Sequence, residues 1–146
     1  MIRFSKLLVA GLVLAAGVAI AKDGATDPNV IARQDLMKAQ GGAAKVLGEM
    51  AGGKTAFDAA AAQAAKDTLI ATSMDIEAKF TPTTTDPVTD ALPEVWTNWD
   101  DFLLKAKALN DAATALDVSS PESIGAGMAG VGGACKDCHT DFRVKT

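Results

Sequence analysis

Apolar residues recur along the second half of the chain with the alternating spacing of amphipathic helices. In one run, successive apolar residues lie four and then three positions apart: Val95, Trp99, Phe102, Ala106, Leu109, Ala113 and Leu116. A second run shows the same alternation: Ile124, Met128, Val131, Cys135, Cys138 and Phe142. Ser120 and Pro121 precede this second run as a predicted cap and first helical residue. Because this spacing puts each set on one helical face, both runs predict helices that bury one stripe.

A third helix is predicted near the start of the chain. Asp27 is a suitable N-cap, and Pro28 suits the first helical position. Apolar residues then recur every seventh position, so we expect a helix over about 28–50. Gly52 and Gly53 follow, and glycine is the usual residue just past a helix end.

A fourth, alanine-rich helix is predicted next. We expect it to begin at a capping box formed by Thr55 and Asp58 and to end near Lys79. Its expected apolar anchors are Phe57, Leu69, Ile70 and Met74. Residues 81–87 contain two prolines and four threonines and predict a loop. No segment alternates with period two for long enough to predict a strand, so we expect an all-α, antiparallel up-down-up-down four-helix bundle.

The first 21 residues have the pattern of a cleaved secretory signal peptide. Arg3 and Lys6 precede an apolar run over 7–20, and small residues ending at Ala21 suit a cleavage site. This run is short for a bilayer span, which takes about 20 residues. We therefore expect export to the periplasm, a single mature domain over 22–146 and no membrane anchor after processing.

Charge and composition narrow the classes of partner and site. The whole chain has a formal net charge of −4, and without the two basic residues of the signal the value is −6. An acidic balance with no basic run argues against nucleic acid as a partner. The chain has no tyrosine and a single histidine, His139, which excludes most catalytic triads and multi-histidine metal sites.

The chemistry-bearing motif is Cys-Lys-Asp-Cys-His over residues 135–139, which has the spacing of a c-type haem attachment site. In such sites two thiols bond the vinyl groups of the porphyrin, and the adjacent imidazole is the proximal iron ligand. On a helix, Cys135, Cys138 and His139 share one face. We therefore expect one covalently attached haem c inside the bundle.

Two other interpretations of these residues stay open at this stage. Cys135 and Cys138 could form a disulfide in an exported protein, although redox motifs of this spacing belong to α/β folds. A zinc site that includes His139 lacks an obvious fourth ligand. Five glycines in the same predicted helix each cost about 1 kcal/mol relative to alanine. Close approach of a flat macrocycle would explain them, and a flexible loop is the alternative: Gly125, Gly127, Gly130, Gly132 and Gly133.

A Cys-x-x-Cys-His motif close to the C-terminus, on the last helix of a four-helix bundle, resembles the cytochrome c′ family and its low-spin class II relatives. The resemblance covers the whole mature chain. Its other marks are Arg33-Gln34 on the first helix and the segment from Leu92 to Trp96 that opens the third.

The resemblance implies roles for several residues of this chain. Arg33 and Gln34 match positions near the haem propionates, and Trp96 and Arg143 match residues around the haem. Trp96 is also a core-packing candidate, and Arg33 is also a candidate for a solvated helix charge. Met37 matches the position that faces the sixth coordination site of the iron. It is expected to be either the sixth ligand or a distal lid, and core packing is the alternative.

Two functions follow from these two roles of Met37. With His139 and Met37 both on the iron, the chain would be a low-spin electron carrier that meets redox partner proteins. With Met37 as a lid, it would be a five-coordinate cytochrome that binds nitric oxide or carbon monoxide. We expect no enzymatic turnover, since no general base accompanies the haem. The resemblance also implies that a homodimer can form.

Overall fold

The computed structural model describes residues 24–84 and 86–145, and it is built from helices arranged as four rods. The helices are α1 (Pro28–Ala51), α2 (Ala59–Met74), α3 (Ile76–Phe80), α4 (Glu94–Thr97), α5 (Trp99–Ala115) and α6 (Pro121–Phe142). α3 continues α2 beyond a turn at Asp75, and α4 leads into α5 across Asn98. α1 packs against α2 and α6, and α5 packs against the same two helices. The predicted up-down-up-down bundle is confirmed.

The ends of α1 and α6 follow their sequence signals. The Asp27 carboxylate accepts hydrogen bonds from the backbone N–H groups of Asn29 and Val30, at 2.8 and 3.1 Å. α1 ends at Gly52, and the following Gly53 has a φ of +67°, a left-handed conformation that glycine adopts without strain. Ser120 caps α6 in a reciprocal box with Ser123. These predicted boundaries are confirmed.

The predicted start of the second helix is wrong. Asp58 is itself the cap, because its carboxylate accepts from the backbone N–H of Ala61 at 2.9 Å, so α2 begins at Ala59. Phe57 therefore precedes the helix and is exposed, and Met74 is 70% exposed on its outer face. Neither residue is a core anchor. The buried stripe of α2 consists instead mainly of small residues: Ala62, Ala65, Leu69 and Ser73.

Most members of the heptad stripes of the last two rods are buried as predicted, and Trp99, Met128, Cys135 and Cys138 are half-buried. The buried members are Val95, Phe102, Ala106, Leu109, Ala113, Leu116, Ile124, Val131 and Phe142. At the α5–α6 contact a Cβ built on Gly127 would lie 2.4 Å from Cδ1 of Leu116. Gly127 therefore makes room for a neighbouring helix.

A long connection over residues 81–93 crosses one end of the bundle and is fastened at several points. The Asp86 carboxylate accepts hydrogen bonds from the backbone N–H groups of Thr26, Asp27 and Val88, at 2.9–3.1 Å. These bonds lower the pKa of Asp86 below its usual value. Further along, an isolated antiparallel bridge joins Ala91 to Arg143. The connection thus forms a wall next to the C-terminal end of α6.

The predicted signal segment, residues 1–21, lies outside the described residues. Among the residues that are described, no helix combines the length and apolar character needed to cross a membrane.

Candidate haem-binding site

The Cys-x-x-Cys-His motif lies on the last turns of α6, at the end of the bundle that the 81–93 connection covers. Cys138 and His139 line a cavity of about 550 Å³ between α1, α3, α5, α6 and that connection. Cys135 lies one turn earlier and is half-buried against the core, outside the cavity lining. Both thiols are free, and no group of three His, Cys, Asp or Glu side chains within the described ranges is suited to hold a metal ion.

The walls of the cavity are mostly apolar. Its apolar lining comes from α1, α3, α4, α5, α6 and the 81–93 connection: Val30, Met37, Ile76, Phe80, Ala91, Val95, Phe102 and Phe142. The ring of Phe102 lies 5.1 Å from the ring of Phe80 and 5.3 Å from that of Phe142, centroid to centroid, so the aromatic part of the wall is continuous. A cavity of this size and character suits a large, flat, apolar ligand.

Arg33 is the buried cation of the site. It is only 4% exposed, and its guanidinium lies 5.2 Å from the ring centroid of Phe80 and 5.0 Å from that of Trp96. Its Nε donates to the carbonyl of Lys79 at 3.0 Å, and its Nη2 donates to the carbonyl of Pro82. Burial lowers the pKa of Arg33, and Asp27 partly offsets that effect.

The third nitrogen of this guanidinium, Nη1, is buried without a hydrogen-bond partner. A buried cationic donor left unpaired costs free energy, so it requires an acceptor. Since Arg33 lines the cavity, the missing acceptor would be an anionic group of the cavity's occupant. A solvated helix charge, the other interpretation of Arg33, is wrong because the side chain is buried.

Trp96 contributes to the site through Arg33. It does not line the cavity; its ring packs on the guanidinium, and its Nε1 donates to the carbonyl of Phe80 at 2.7 Å. The indole therefore braces α4 against the end of α3. Gln34 does line the cavity, and its amide donates to the carbonyl of Val88 at 3.4 Å.

Met37 and His139 face the same cavity from α1 and α6. Met37 is half-buried and lies one turn after Arg33. One further turn along, Gly41 lines the cavity, and a Cβ built there would meet no atom within 4 Å. Of the other methionines, Met50 is buried in the core, Met74 is exposed and Met128 is half-buried, and none of the three lines the cavity.

The electrostatics of the motif favour uncharged side chains. Burial lowers the pKa of His139, and the nearby Arg143 lowers it further, so the imidazole is neutral at pH 7. A neutral imidazole is the form that binds metals. Burial also raises the pKa of the Cys138 thiol to about 11 and raises that of Cys135. Arg143 itself lines the cavity and pairs with Asp90 at 3.5 Å.

The expectation that the five glycines of α6 admit a macrocycle stays a prediction, since they do not line the cavity but neither does Cys135 of the motif. The Cβ positions of Gly125, Gly127 and Gly130 meet Ala51, Leu116 and Ala112 of neighbouring segments. Those of Gly132 and Gly133 meet nothing within 4 Å. The flexible-loop alternative is wrong, because all five lie within the helix.

One residue beside the motif was not anticipated from the sequence. Lys105 of α5 lies next to this part of α6, and its Nζ is 2.8 Å from Oδ2 of both Asp137 and Asp141. The sequence signal is the four-residue spacing of the two aspartates, which puts them on one face of α6. That spacing does not reveal which helix supplies the cation.

Comparisons with known proteins agree with this site. A profile of the family described as Cytochrome C′ matches residues 29–143. A cytochrome c-556 of Agrobacterium tumefaciens is 37% identical over 78% of this chain and 93% of its own length. A cytochrome c′ of Rhodopseudomonas palustris is 36% identical over 94% of both chains. A solved cytochrome c′ structure from Rhodopseudomonas palustris superposes with a TM-score of 0.75 at 32% identity, covering 82% of this chain and 98% of its own. The bundle, the motif on its last helix and these matches together show that the chain belongs to the cytochrome c′ family.

Proposed function

We propose that this chain is a periplasmic c-type cytochrome that transfers electrons, with His139 and Met37 as the two axial ligands of its iron. Membership of the cytochrome c′ family gives it one covalently attached haem c. The observation that carries the proposal is that Met37 and His139 line one cavity from two different helices. A thioether and an imidazole together form an axial pair suited to electron transfer.

The chain's own residues fit the haem at this cavity. Cys135 and Cys138 would hold it covalently, and His139 would supply the fifth ligand from the same helical face. The unpaired Nη1 of Arg33 would donate a hydrogen bond to a propionate carboxylate of the haem. Gln34 and Arg143 line the same cavity. When bound, haem c supplies an iron that changes between the ferric and ferrous states.

The protein surroundings fix the orientation of groups around this site. Arg33 is held on two backbone carbonyls and stacked beside two aromatic rings, so its charge is oriented before any ligand binds. The rings of Phe80, Phe102 and Phe142 form an apolar wall on one side of the cavity. The burial and polarity of the surroundings are among the means by which a protein tunes a haem.

Export to the periplasm is part of the proposal, and it rests on the predicted signal over residues 1–21. The acidic surface of the mature chain suits a basic redox partner, because opposite charges steer the encounter of two proteins. We assign no catalytic residue.

A second candidate function is the binding of nitric oxide or carbon monoxide at a five-coordinate iron. Gly41 favours it, because the cavity wall one turn beyond Met37 carries no side chain. Side chains on a helix lean towards its N-terminus, so a larger residue at 41 would cover the turn that carries Met37. Without one, the Met37 side chain has room to swing aside for a small gas.

Titration of the reduced holoprotein with carbon monoxide separates the two functions. If Met37 is a ligand, the wild type binds the gas weakly and Met37→Ala binds it at least about tenfold more tightly, a change of about 1.4 kcal/mol. The matched control is Met74→Ala, which removes an exposed thioether and is expected to behave as wild type. Tight binding by the wild type, unchanged in Met37→Ala, would contradict ligation and favour the second candidate.

A further inference from the structure

The ion-paired lysine beside the haem-binding motif differs from the other paired lysines of the described residues. Lys105 bridges α5 and α6, and its side chain is 15% exposed. The other lysine pairs join side chains three or four positions apart within one helix: Lys38–Asp35, Lys45–Glu49 and Lys107–Asp111. Pairs of that kind lie on the surface and contribute little to stability.

The place of Lys105 relative to the motif is specific. The two aspartates that pair with Lys105 flank Cys138 and His139. Asp137 immediately precedes Cys138, and Asp141 follows His139 by two residues. Both carboxylates approach Nζ at 2.8 Å, so a single cation spans one full turn of α6. These two short ion pairs fix the rotation of that turn about the axis of α6 and its position along α5.

The charge of Lys105 also acts on the motif directly. It lowers the pKa of Cys138, whereas burial, the larger effect, and the charges of Asp137 and Asp141 raise it. The ammonium of Lys105 therefore lies within electrostatic reach of the turn that carries the motif.

We propose that Lys105 is a positioning residue for the haem iron: it fixes the turn that carries Cys138 and His139, and its charge favours the ferrous state. The proposal rests on the attachment of haem at these residues, as inferred above. Ferric iron carries one more positive charge than ferrous iron, so a nearby cation disfavours the ferric form and raises the reduction potential.

The test is a potentiometric titration of purified holoprotein variants. Lys105→Gln is expected to lower the ferrous-to-ferric ratio at a fixed applied potential by at least roughly threefold. For this one-electron couple, a tenfold change in the ratio corresponds to a shift of about 59 mV in the reduction potential. Lys107→Gln is the matched control: it removes the same charge from an exposed ion pair two residues away and is expected to cause a much smaller change. Lys105→Arg keeps the charge and is expected to restore most of the ratio.

A second variant keeps the lysine and removes its partners. The double variant Asp137→Asn with Asp141→Asn is expected to raise the ratio, opposite to Lys105→Gln. It retains the lysine charge and so still tests the proposal if Lys105→Gln fails to fold. Equal ratios in Lys105→Gln and Lys107→Gln would overturn the proposal. So would a Lys105→Gln protein that melts earlier but keeps the wild-type potential, because that is the behaviour of a purely structural brace. Peptide mapping of the wild type for haem on Cys135 and Cys138 tests the underlying attachment separately.

Discussion

The two ends of the bundle are built on different principles. At the end where α1 stops and α6 begins, helices touch through small residues: Gly127 accommodates Leu116, and Gly125 lies against Ala51. At the other end large aromatic side chains and a buried arginine surround a cavity of about 550 Å³. One end fills its interior with its own side chains, whereas the other leaves a cavity that the proposed haem would fill.

The difference also shows in how each end holds its shape. The packed end relies mainly on dense apolar contact, supplemented by the Ser120–Ser123 box and by the bond that Lys66 Nζ donates to the Leu116 carbonyl at 2.7 Å. The cavity end relies on side chains that bond to backbone: Arg33 to Lys79 and Pro82, Trp96 to Phe80, and Asp86 to three N–H groups. Directional bonds can hold a wall in place where no side chain lies behind it. Residues that maintain a site thus need not touch its occupant.

The largest expected effect comes from removing both attachment thiols. Cys135→Ser with Cys138→Ser is expected to yield a chain without covalent haem and with reduced helicity, because the cavity end loses its filling. Hydrogen exchange should then be much faster around residues 30–41 than around 116–131. Circular dichroism and exchange together check this, and unchanged helicity with uniform protection would contradict the contrast between the ends.

Replacing Arg33 tests the polar framework of the cavity end. Arg33→Met is expected to destabilise the holoprotein by about 2 kcal/mol, because the carbonyls of Lys79 and Pro82 lose the charged donor they share. Chemical denaturation measures the loss, and Lys45→Met, which removes an exposed lysine of the same helix away from the cavity, is the control. An Arg33→Met protein as stable as this control would show that the framework does not depend on the guanidinium.

A pair of glycine variants tests the packed end. Gly127→Ala is expected to lower stability by about 1 kcal/mol, because the crowding of Leu116 outweighs the better helix propensity of alanine. Gly132→Ala, on the same helix with open space around its Cβ position, is expected to raise stability by about 1 kcal/mol. Thermal unfolding compares the two, and shifts of the same sign would refute close packing at Gly127.

The smallest expected effect is pH-dependent. The pKa of Asp86 is lowered in the folded chain by the hydrogen bonds it accepts, so its contribution is present above its unfolded pKa, near 3.8. That contribution is lost as the pH falls through the lower folded value. Asp86→Asn should therefore melt below the wild type at pH 7, and the difference should shrink in acid. A difference that is constant from pH 7 to pH 3 would contradict this role.

Much of the fold follows from patterns that are local in sequence. The heptad stripes, the caps at Asp27 and Ser120 and the stop at Gly52 depend on neighbouring residues alone, and each is confirmed. The error at Phe57 arises because Asp58, not Thr55, caps the helix, so Phe57 lies outside it. The error at Met74 arises because hydrophobicity does not reveal which face of an alanine-rich helix meets its neighbour. The packing role of Gly127 likewise depends on Leu116, which comes from another helix.

The residues of the site likewise fall into two groups: those that a motif or the family resemblance identifies, and those that only contacts between distant parts of the chain reveal. Cys135, Cys138 and His139 form a contiguous motif whose chemistry can be inferred from spacing, and the family resemblance supplied Arg33, Gln34, Met37, Trp96 and Arg143. Lys105, Gly41 and Asp86 carry no motif. Their importance comes from contacts between residues distant in sequence, such as the 60 positions between Thr26 and Asp86.

The central claim, that Met37 binds the iron opposite His139, is tested most directly by the absorption spectrum of the oxidised holoprotein. The account predicts a low-spin spectrum with a sulfur-to-iron charge-transfer band that disappears in Met37→Ala and persists in Met74→Ala. A high-spin spectrum without that band in the wild type would contradict the claim and make Met37 a lid over a gas-binding iron.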